Sequence, residues 1–265
     1  MLPRILGPMF VAELGFRKLR PLGVRPDQVD AIEGLLGFLT KNGQILGQEY
    51  PTVETPTGFS SYVILPEKGA LQRRFNYRYV NEALQDLEKQ GLARPRVRTL
   101  GEKFPSPPPD RCARPGWRVL FTTYLSIASP IRCGDCFAPV PLYRLPERKP
   151  FLREHVLFWA RAWRACDQLQ MGCRVGERFA TGRISDPDSD LGSWGRELCV
   201  EIGRLTRIPT YLYLYRDGAK SRAREEKRRC PRCGGLWRID DPVCGLFDFK
   251  CDRCRLVSNI AWDVR

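Results

Sequence analysis

Two pairs of cysteines near the carboxyl end constrain the fold of this chain more than any other feature. Cys230 and Cys233 form one CxxC motif, Cys251 and Cys254 form another, and seventeen residues separate the pairs. A CxxC turn followed by glycine presents two sulfur atoms from one tight turn, and two such turns supply the four thiolates of a tetrahedral Zn²⁺ site. The spacing therefore predicts one structural Zn²⁺ bound by these four cysteines.

The segment between the two pairs has the pattern of a small β-hairpin. The stretches LWRI and LFDFK have strand character, and DDPVCG between them offers Asp, Pro and Gly for a reversal. Cys244 lies in this reversal and is surplus to the four ligands. Because four protein ligands leave no open position for water or substrate, we expect a zinc ribbon whose metal is structural and not catalytic.

The composition indicates the cellular compartment and the kind of binding partner to expect. The eleven cysteines are odd in number, and a chain of 265 residues does not need disulfides to be stable, so a reducing compartment is expected. The formal net charge of +14 favours a polyanionic partner. No apolar run is long enough for a membrane span, and Pro3, Gly7 and Pro8 interrupt the first residues before a secretory core could form. We therefore expect a soluble, cytoplasmic protein with no membrane partner.

Residues 1–103 have the element order of a ferredoxin-like βαββαβ domain. Hydrophobic spacing and turn residues predict a strand at 9–16, a helix at 26–39, extended pieces at 47–55 and 59–67, a helix within 71–91 and a strand at 94–100. Pro26 is expected at the start of the first helix, Asn42-Gly43 at its end, and Gly91 at the end of the second.

A proline-rich linker at 104–116 is expected to separate this domain from a middle α+β domain at 117–216. The middle domain is predicted to contain strands at 117–129, 139–146 and 209–216, a helix opened by Pro150, and a helix from 187 to 205 capped by Ser185, Asp186 or Asp188. A basic arm and the ribbon, at 217–265, complete an α+β protein of three domains.

The arm RDGAKSRAREEKRR, at 216–229, is the most basic stretch and predicts contact with nucleic-acid phosphates. The candidate contacts in the arm and ribbon are Lys220, Arg222, Arg224, Lys227, Arg228, Arg229, Arg238, Lys250, Arg253 and Arg255. Aromatic side chains nearby either stack on unpaired bases or pack internally, and packing is the favoured interpretation for Trp237 and Phe249. The same two alternatives apply to the tyrosine face formed by Tyr211, Tyr213 and Tyr215.

Other functions stay open at this stage. The basic surface also suits an acidic partner protein, as in an immunity or adaptor module. Cys133 and Cys136 form a further CxxC motif, which suits reduced cysteines in a turn, a redox dithiol, or a second metal site. The metal alternative requires further ligands, for which the candidates are Cys112, Cys166, Cys173 and Cys199. The single histidine, His155, is interpreted as a surface or packing residue, and the absence of common catalytic motifs favours a protein without enzymatic activity.

The C-terminal half carries a family resemblance. The stretches RCGDCFAPVPLYRLP, GRELCVEIGRLTRIPTYLYLYR and CPRCGGLWRIDDPVCGLFDFKCDRCRLVSNIAWDV resemble an uncharacterised bacterial family described as Zn-ribbon-containing, with a suggested role in nucleic-acid binding. The resemblance implies the metal role for the four cysteines of the ribbon. It establishes neither a ligand nor a reaction.

Overall fold

The computed structural model describes residues 9–19, 25–147, 149 and 151–265. The fold is mixed α+β, with two separate sheets. No helix among these residues combines the length and the apolar character that a bilayer crossing requires.

The chain divides into two compact units. The N-terminal unit contains the described residues of 4–109 together with 141–147. The C-terminal unit contains 110–140 and the described residues of 148–265.

The N-terminal unit follows the element order βαββαβ. Its elements are β1 (Met9–Arg17), α1 (Pro26–Asn42), β2 (Thr52–Thr55), β3 (Gly58–Leu65), α2 (Arg78–Lys89) and β4 (Arg96–Lys103). The sheet has the order β2-β3-β1-β4, and all three neighbouring pairs are antiparallel. Alternate residues of β1 are buried, because one face of the sheet packs against the apolar side chains of both helices.

The helices of this unit differ in how well their bounds follow the sequence pattern. Helix α1 begins at Pro26 and ends before Gly43, as expected. Helix α2 is shorter than its pattern, since 71–77 form turns and a 3₁₀ segment. The Phe75 carbonyl oxygen accepts a hydrogen bond of 2.8 Å from the Asn42 side chain, which takes the place of a bond within a continuing helix.

The C-terminal unit is built around a six-stranded mixed sheet. Its elements are β5 (Arg118–Leu120), β6 (Ile131–Cys133), α3 (Leu152–Gly172), α4 (Glu177–Ser185), α5 (Asp190–Thr206), β7 (Thr210–Leu214), α6 (Arg222–Glu226), β8 (Arg238–Val243), β9 (Phe247–Cys251) and β10 (Leu256–Ser258). The strand order is β6-β5-β7-β10-β9-β8.

Strand β7 lies in the middle of this sheet and is parallel to both of its neighbours, β5 and β10. All five residues of β7 are buried, as is typical of interior parallel strands covered on both faces. Strand β10 also pairs with β9, so the strands between and after the two cysteine pairs continue the sheet of the middle segment. The unit thus joins 117–216 and 217–265, which the sequence pattern divides into two domains.

Several elements predicted for residues 117–216 need correction, and of these residues 141–147 belong to the N-terminal unit. The strand expected at 117–129 is limited to three residues, and 139–146 form only a single β-bridge and a 3₁₀ turn. Prolines at 139, 141 and 146 lack the N–H groups that a strand ladder needs. Helix α5 is capped by the Ser189 hydroxyl, which accepts from the Gly192 N–H at 3.0 Å, and not by the predicted caps. Pro150, the expected start of α3, lies outside the described residues.

Candidate metal centres and an arginine-lined cleft

Two groups of side chains in the described part of the chain bring potential metal ligands within 4.8 Å of one another. The C-terminal cluster consists of Cys230, Cys233, Cys251 and Cys254. The internal cluster consists of Asp110, Cys112, Cys133 and Cys136. Both lie within the C-terminal unit.

The C-terminal cluster is held by the ends of strands. Cys230 and Cys233 belong to the turn before β8, Cys251 is the last residue of β9, and Cys254 lies in the turn that leads to β10. The Cys233 and Cys251 sulfur atoms are 3.7 Å apart. Sulfur atoms at the corners of a tetrahedron with Zn–S bonds of about 2.3 Å would be about 3.8 Å apart. This group could therefore hold a metal ion.

The backbone of the first turn favours a thiolate. The Cys230 N–H donates to the Gly235 carbonyl at 3.0 Å, and the Gly234 N–H donates to the Cys230 carbonyl at 2.9 Å. Gly234 has a φ of +66°, a left-handed conformation that glycine adopts without strain. The Gly235 backbone hydrogen-bonds to the Cys233 sulfur and lowers the pKa of this thiol to about 7. Burial acts in the opposite direction and raises the pKa of Cys254 to about 12.

Arg228 joins a buried ion pair to two aromatic rings, and its positive charge interacts with Cys230 of the C-terminal cluster. The Arg228 guanidinium lies 4.7 Å from the centre of the Trp237 ring and 4.3 Å from that of Phe249. Its Nε donates to Glu225 at 2.8 Å, and Glu225 is only 2% exposed. Trp237 and Phe249 are buried, which agrees with packing and leaves neither ring accessible to a base. Arg228 therefore has a structural role in the ribbon.

The other predicted contact residues fall into two groups. Arg238 and Lys250 are half-buried and make ion pairs with Asp248 and Asp252 respectively. The remaining side chains are exposed: Lys220, Arg222, Arg224, Lys227, Arg229, Arg253 and Arg255. Of these, Arg222 pairs with Glu226, and Arg255 donates to the Tyr211 hydroxyl at 2.8 Å.

The tyrosine face of β7 is internal. Tyr211, Tyr213 and Tyr215 are at most 9% exposed, and their hydroxyl groups bond to side chains of the C-terminal unit. Tyr213 also packs against the Phe247 ring at 5.7 Å. Stacking on bases is therefore not available to these rings, and packing is the correct alternative.

A cleft of about 760 Å³ runs between the C-terminal end of α5 and the turns of the C-terminal cluster. Among the described residues, six arginines and no acidic residue line it: Arg196, Arg204, Arg207, Arg232, Arg253 and Arg255. We call this feature the arginine cleft. Cys233 and Cys254 also line the cleft, so two cysteines of the C-terminal cluster and the arginines share one surface.

The arginines of this cleft differ in whether they already have a partner. Arg196 and Arg232 both pair with Asp188, at 3.0 and 3.3 Å. Arg204, Arg207 and Arg253 are exposed and form no ion pair with any described residue. Arg196, Arg204, Arg207 and Arg232 were not predicted as contacts. For Arg204 and Arg207 the reason is that basic residues at the end of a helix are expected for its dipole alone. Only the tertiary pairing of β7 with β10 brings them to the cluster.

The internal cluster contains both cysteines of the second CxxC motif. Cys133 ends β6 and is fully buried, whereas Cys136 is exposed. Of the four cysteines considered as further ligands, only Cys112 joins them. The fourth potential ligand, Asp110, was missed, because nothing in a proline-rich segment identifies one aspartate as a ligand. No helix begins at the described residues directly after Cys133, so this turn lacks the helix N-terminus that would lower the pKa of a redox dithiol.

Comparison with known proteins gives the family. Over 226 residues the chain is 43% identical to an uncharacterized protein of Haemophilus influenzae, a match that covers 84% of this chain and 87% of that protein. The chain belongs to the same family. A second uncharacterized protein of Haemophilus influenzae is 45% identical over 164 residues, covering 62% of this chain and 81% of its own length.

Three family models match successive parts of this family member, and each is described as a domain of unknown function: DUF8589 at 9–101, DUF2310 at 112–215 and DUF8594 at 219–264. These ranges lie close to the domain boundaries expected from the sequence. No solved structure matches the chain. The family is thus an uncharacterised bacterial one, as the resemblance implied, while its zinc ribbon and its nucleic-acid binding stay predictions.

Proposed function

We propose that the C-terminal cluster holds one Zn²⁺ and that residues 217–265 form a zinc ribbon built onto the sheet of the C-terminal unit. The support is the 3.7 Å separation of the Cys233 and Cys251 sulfurs, together with four ligand atoms that all lie within 4.8 Å. Four cysteine ligands leave no site on the ion for substrate, so its role is to fix the turns that line the arginine cleft. We assign the βαββαβ arrangement of the N-terminal unit to the ferredoxin-like class.

The function that this geometry supports best is nucleic-acid binding in the arginine cleft. The single observation that supports it most strongly is a concave surface lined by six arginines and by no acidic residue. Guanidinium groups bind phosphate oxygens in a fork geometry, and a cleft with one sign of charge concentrates its field. Because the nearby aromatic rings are buried, the contacts are to the phosphate backbone and not to stacked bases.

The proposed nucleic-acid-binding surface is the arginine cleft, whereas the sequence pattern predicted the basic arm and the ribbon. Of the basic residues expected to bind, Arg253 and Arg255 line the cleft, and Arg228 belongs to the packed interior of the ribbon. Substitution of Arg228 therefore tests folding. The exposed residues of the arm, such as Lys220 and Arg224, provide a second surface whose contribution is measured separately.

Fluorescence anisotropy with a labelled single-stranded oligonucleotide of mixed sequence, and with its duplex, tests the assignment. The double variant Arg204→Glu/Arg253→Glu is expected to weaken binding by at least about tenfold. The negative slope of log K against log salt concentration should become less steep by roughly two, because two phosphate contacts are lost. The matched control is Arg174→Glu/Arg178→Glu, which changes the net charge equally at exposed positions beside and within α4.

Equal weakening by the two double variants would contradict a specific role for the cleft. The nucleic-acid proposal itself fails if neither oligonucleotide binds the wild-type chain and an acidic protein copurifies with it. That outcome favours the protein-interaction alternative, in which the same arginines receive carboxylates.

A further inference from the structure

The turn that contains Cys133 and Cys136 has the same backbone hydrogen bonds as the turn that contains Cys230 and Cys233. The Cys133 N–H donates to the Ala138 carbonyl at 2.9 Å, and the corresponding bond from Cys230 is 3.0 Å. In both turns the residue after the second cysteine donates to the carbonyl of the first cysteine at 2.9 Å. The bonding of the metal-ligand turn in the C-terminal cluster is therefore repeated at the internal cluster.

The conformation after the second cysteine is also shared. Phe137 has a φ of 59°, beside 66° for Gly234 and 55° for Arg255. A phenylalanine rarely adopts this left-handed conformation, so the surrounding structure has to hold it there. The Phe137 ring packs against Phe121 at 5.0 Å and Phe247 at 5.5 Å, which provides that support.

Asp110 and Cys112 are fixed beside this turn by the backbone. The Asp110 N–H donates to the Pro139 carbonyl at 2.8 Å, and the Cys112 N–H donates to the Asp110 carboxylate at 2.9 Å. The Asp110 carboxylate also lies 3.3 Å from the Cys136 sulfur and is buried. Three sulfur atoms and one carboxylate oxygen thus converge within 4.8 Å.

The guanidinium of Arg118 is largely buried and interacts with the internal cluster, whose thiols and carboxyl group can carry negative charge. The positive charge of Arg118 interacts with Asp110 and Cys133. Its Nε and Nη1 atoms are buried and have no hydrogen-bond partner in the described part of the chain. A buried donor without a partner is costly, so an arginine placed here indicates that the cluster carries negative charge.

We propose that Asp110, Cys112, Cys133 and Cys136 form a second zinc site. Three thiolates and a carboxylate oxygen are ligands that tetrahedral Zn²⁺ accepts, with Zn–S bonds of about 2.3 Å and Zn–O bonds of about 2.0–2.2 Å. Such a site would carry a net charge of about −2, which the Arg118 guanidinium offsets in part. The ion ties residues 110–112 to the turn after β6. This site is independent of the one proposed for the C-terminal cluster.

Metal analysis of the full chain, purified with zinc and dialysed, tests the site. The wild-type chain is expected to contain two zinc ions, one for each cluster. Cys136→Ala is expected to contain one, and because Cys136 is exposed, the loss of its side chain leaves the packed interior intact. The matched control is Cys244→Ala, which removes a half-buried cysteine whose sulfur lies 3.6 Å from the Gly134 carbonyl but which belongs to neither cluster.

Asp110→Asn provides a second variant, since it removes the carboxylate charge with almost no change in volume. Retention of two zinc ions by both Cys136→Ala and Asp110→Asn would overturn the proposal. So would a wild-type chain with one zinc ion in which alkylation and mass analysis find a disulfide between two of the three cysteines. Failure of the proposed C-terminal site would give a different result from failure of the internal site. If the C-terminal cluster bound no zinc, Cys230→Ala would leave the zinc content of the chain unchanged.

Discussion

The C-terminal cluster and the internal cluster present cysteines from the same kind of turn, yet they differ in where the remaining ligands come from. All four ligands of the C-terminal cluster lie within the span 230–254 and belong to one hairpin and its flanking turns. The internal cluster combines one such turn with Asp110 and Cys112 from a proline-rich segment. A cluster made of two similar turns is visible in the sequence, whereas one completed by an irregular segment becomes visible only in the fold.

The two clusters also have a common feature, an arginine whose positive charge interacts with one of their cysteines: Arg228 with Cys230, and Arg118 with Cys133. Arg228 has Glu225 as an ion-pair partner, whereas two donor atoms of Arg118 have no partner among the described residues. The C-terminal arginine is thus part of a completed ion pair. Arg118 at the internal cluster has a positive charge that metal-bound thiolates of this cluster would balance.

The largest effect is expected from Cys251→Ser, which removes a buried ligand at the end of β9. Structural zinc contributes an apparent 10–16 kcal/mol or so in small zinc modules, which is as large as the stability of a typical domain. Since β9 belongs to the six-stranded sheet, the C-terminal unit should lose its cooperative thermal transition, which circular dichroism measures. Metal analysis should show the loss of the zinc ion of the C-terminal cluster. Full metal content in this variant would refute the C-terminal site.

A smaller loss is expected from Arg228→Ala, about 3 kcal/mol in the free energy of unfolding. The substitution removes the closer of the two arginines that pair with the buried Glu225 carboxylate, at 2.8 Å, and leaves Arg216 at 3.3 Å. It also removes the cation between two aromatic rings. Arg229→Ala, at the exposed neighbouring position, should change the unfolding free energy by less than about 0.5 kcal/mol. Urea denaturation of both variants gives the comparison, and equal losses would show that the buried pair has no special role.

A glycine-to-alanine substitution should destabilise the two turns for different reasons, a side-chain clash at Gly134 and backbone strain at Gly234. A Cβ atom at Gly134 would lie 2.2 Å from the Trp117 ring, so Gly134→Ala should cost about 2 kcal/mol through displacement of that ring. At Gly234 nothing lies within 4 Å, and the cost of Gly234→Ala should be about 1 kcal/mol, from the left-handed backbone alone. Thermal denaturation measures both, and the reverse order would mean that Trp117 moves without strain.

The smallest effect is expected from Arg118→Met, which keeps the volume of the side chain and removes its charge. Zinc at the internal cluster should bind about tenfold more weakly, as is common when a residue that supports metal ligands is changed. Competition with a chromogenic chelator measures the affinity of each site. Tighter binding at the internal cluster, or a loss confined to the C-terminal cluster, would exclude the charge-balancing role of Arg118.

Much of the N-terminal unit follows from local pattern. Pro26 and Gly43 mark the two ends of α1, and the order of strands and helices matches the order read from hydrophobic spacing. The bounds of α2 could not be predicted, because the Phe75 carbonyl is bonded by Asn42, a residue 33 positions earlier in the chain. Such long-range polar contacts have no local signal.

The C-terminal unit shows the same limit at its sites. The ligands of the C-terminal cluster were predicted from spacing, and the structure brings them together. The internal turn was harder to recognise, because Phe137 takes the left-handed position that Gly234 holds in the other turn. Of the six arginines in the arginine cleft only Arg253 and Arg255 were predicted as contacts, since the cleft depends on the parallel pairing of β7 with β10 across more than forty intervening residues.

The most direct test of the central claim is zinc-edge X-ray absorption on the Cys136→Ala variant, in which only the C-terminal cluster is expected to hold metal. We predict a single shell of four sulfur atoms at about 2.3 Å. A shell with nitrogen or oxygen atoms at about 2.0–2.1 Å, or a chain that retains no zinc after dialysis, would contradict the assignment of Cys230, Cys233, Cys251 and Cys254 to one metal ion.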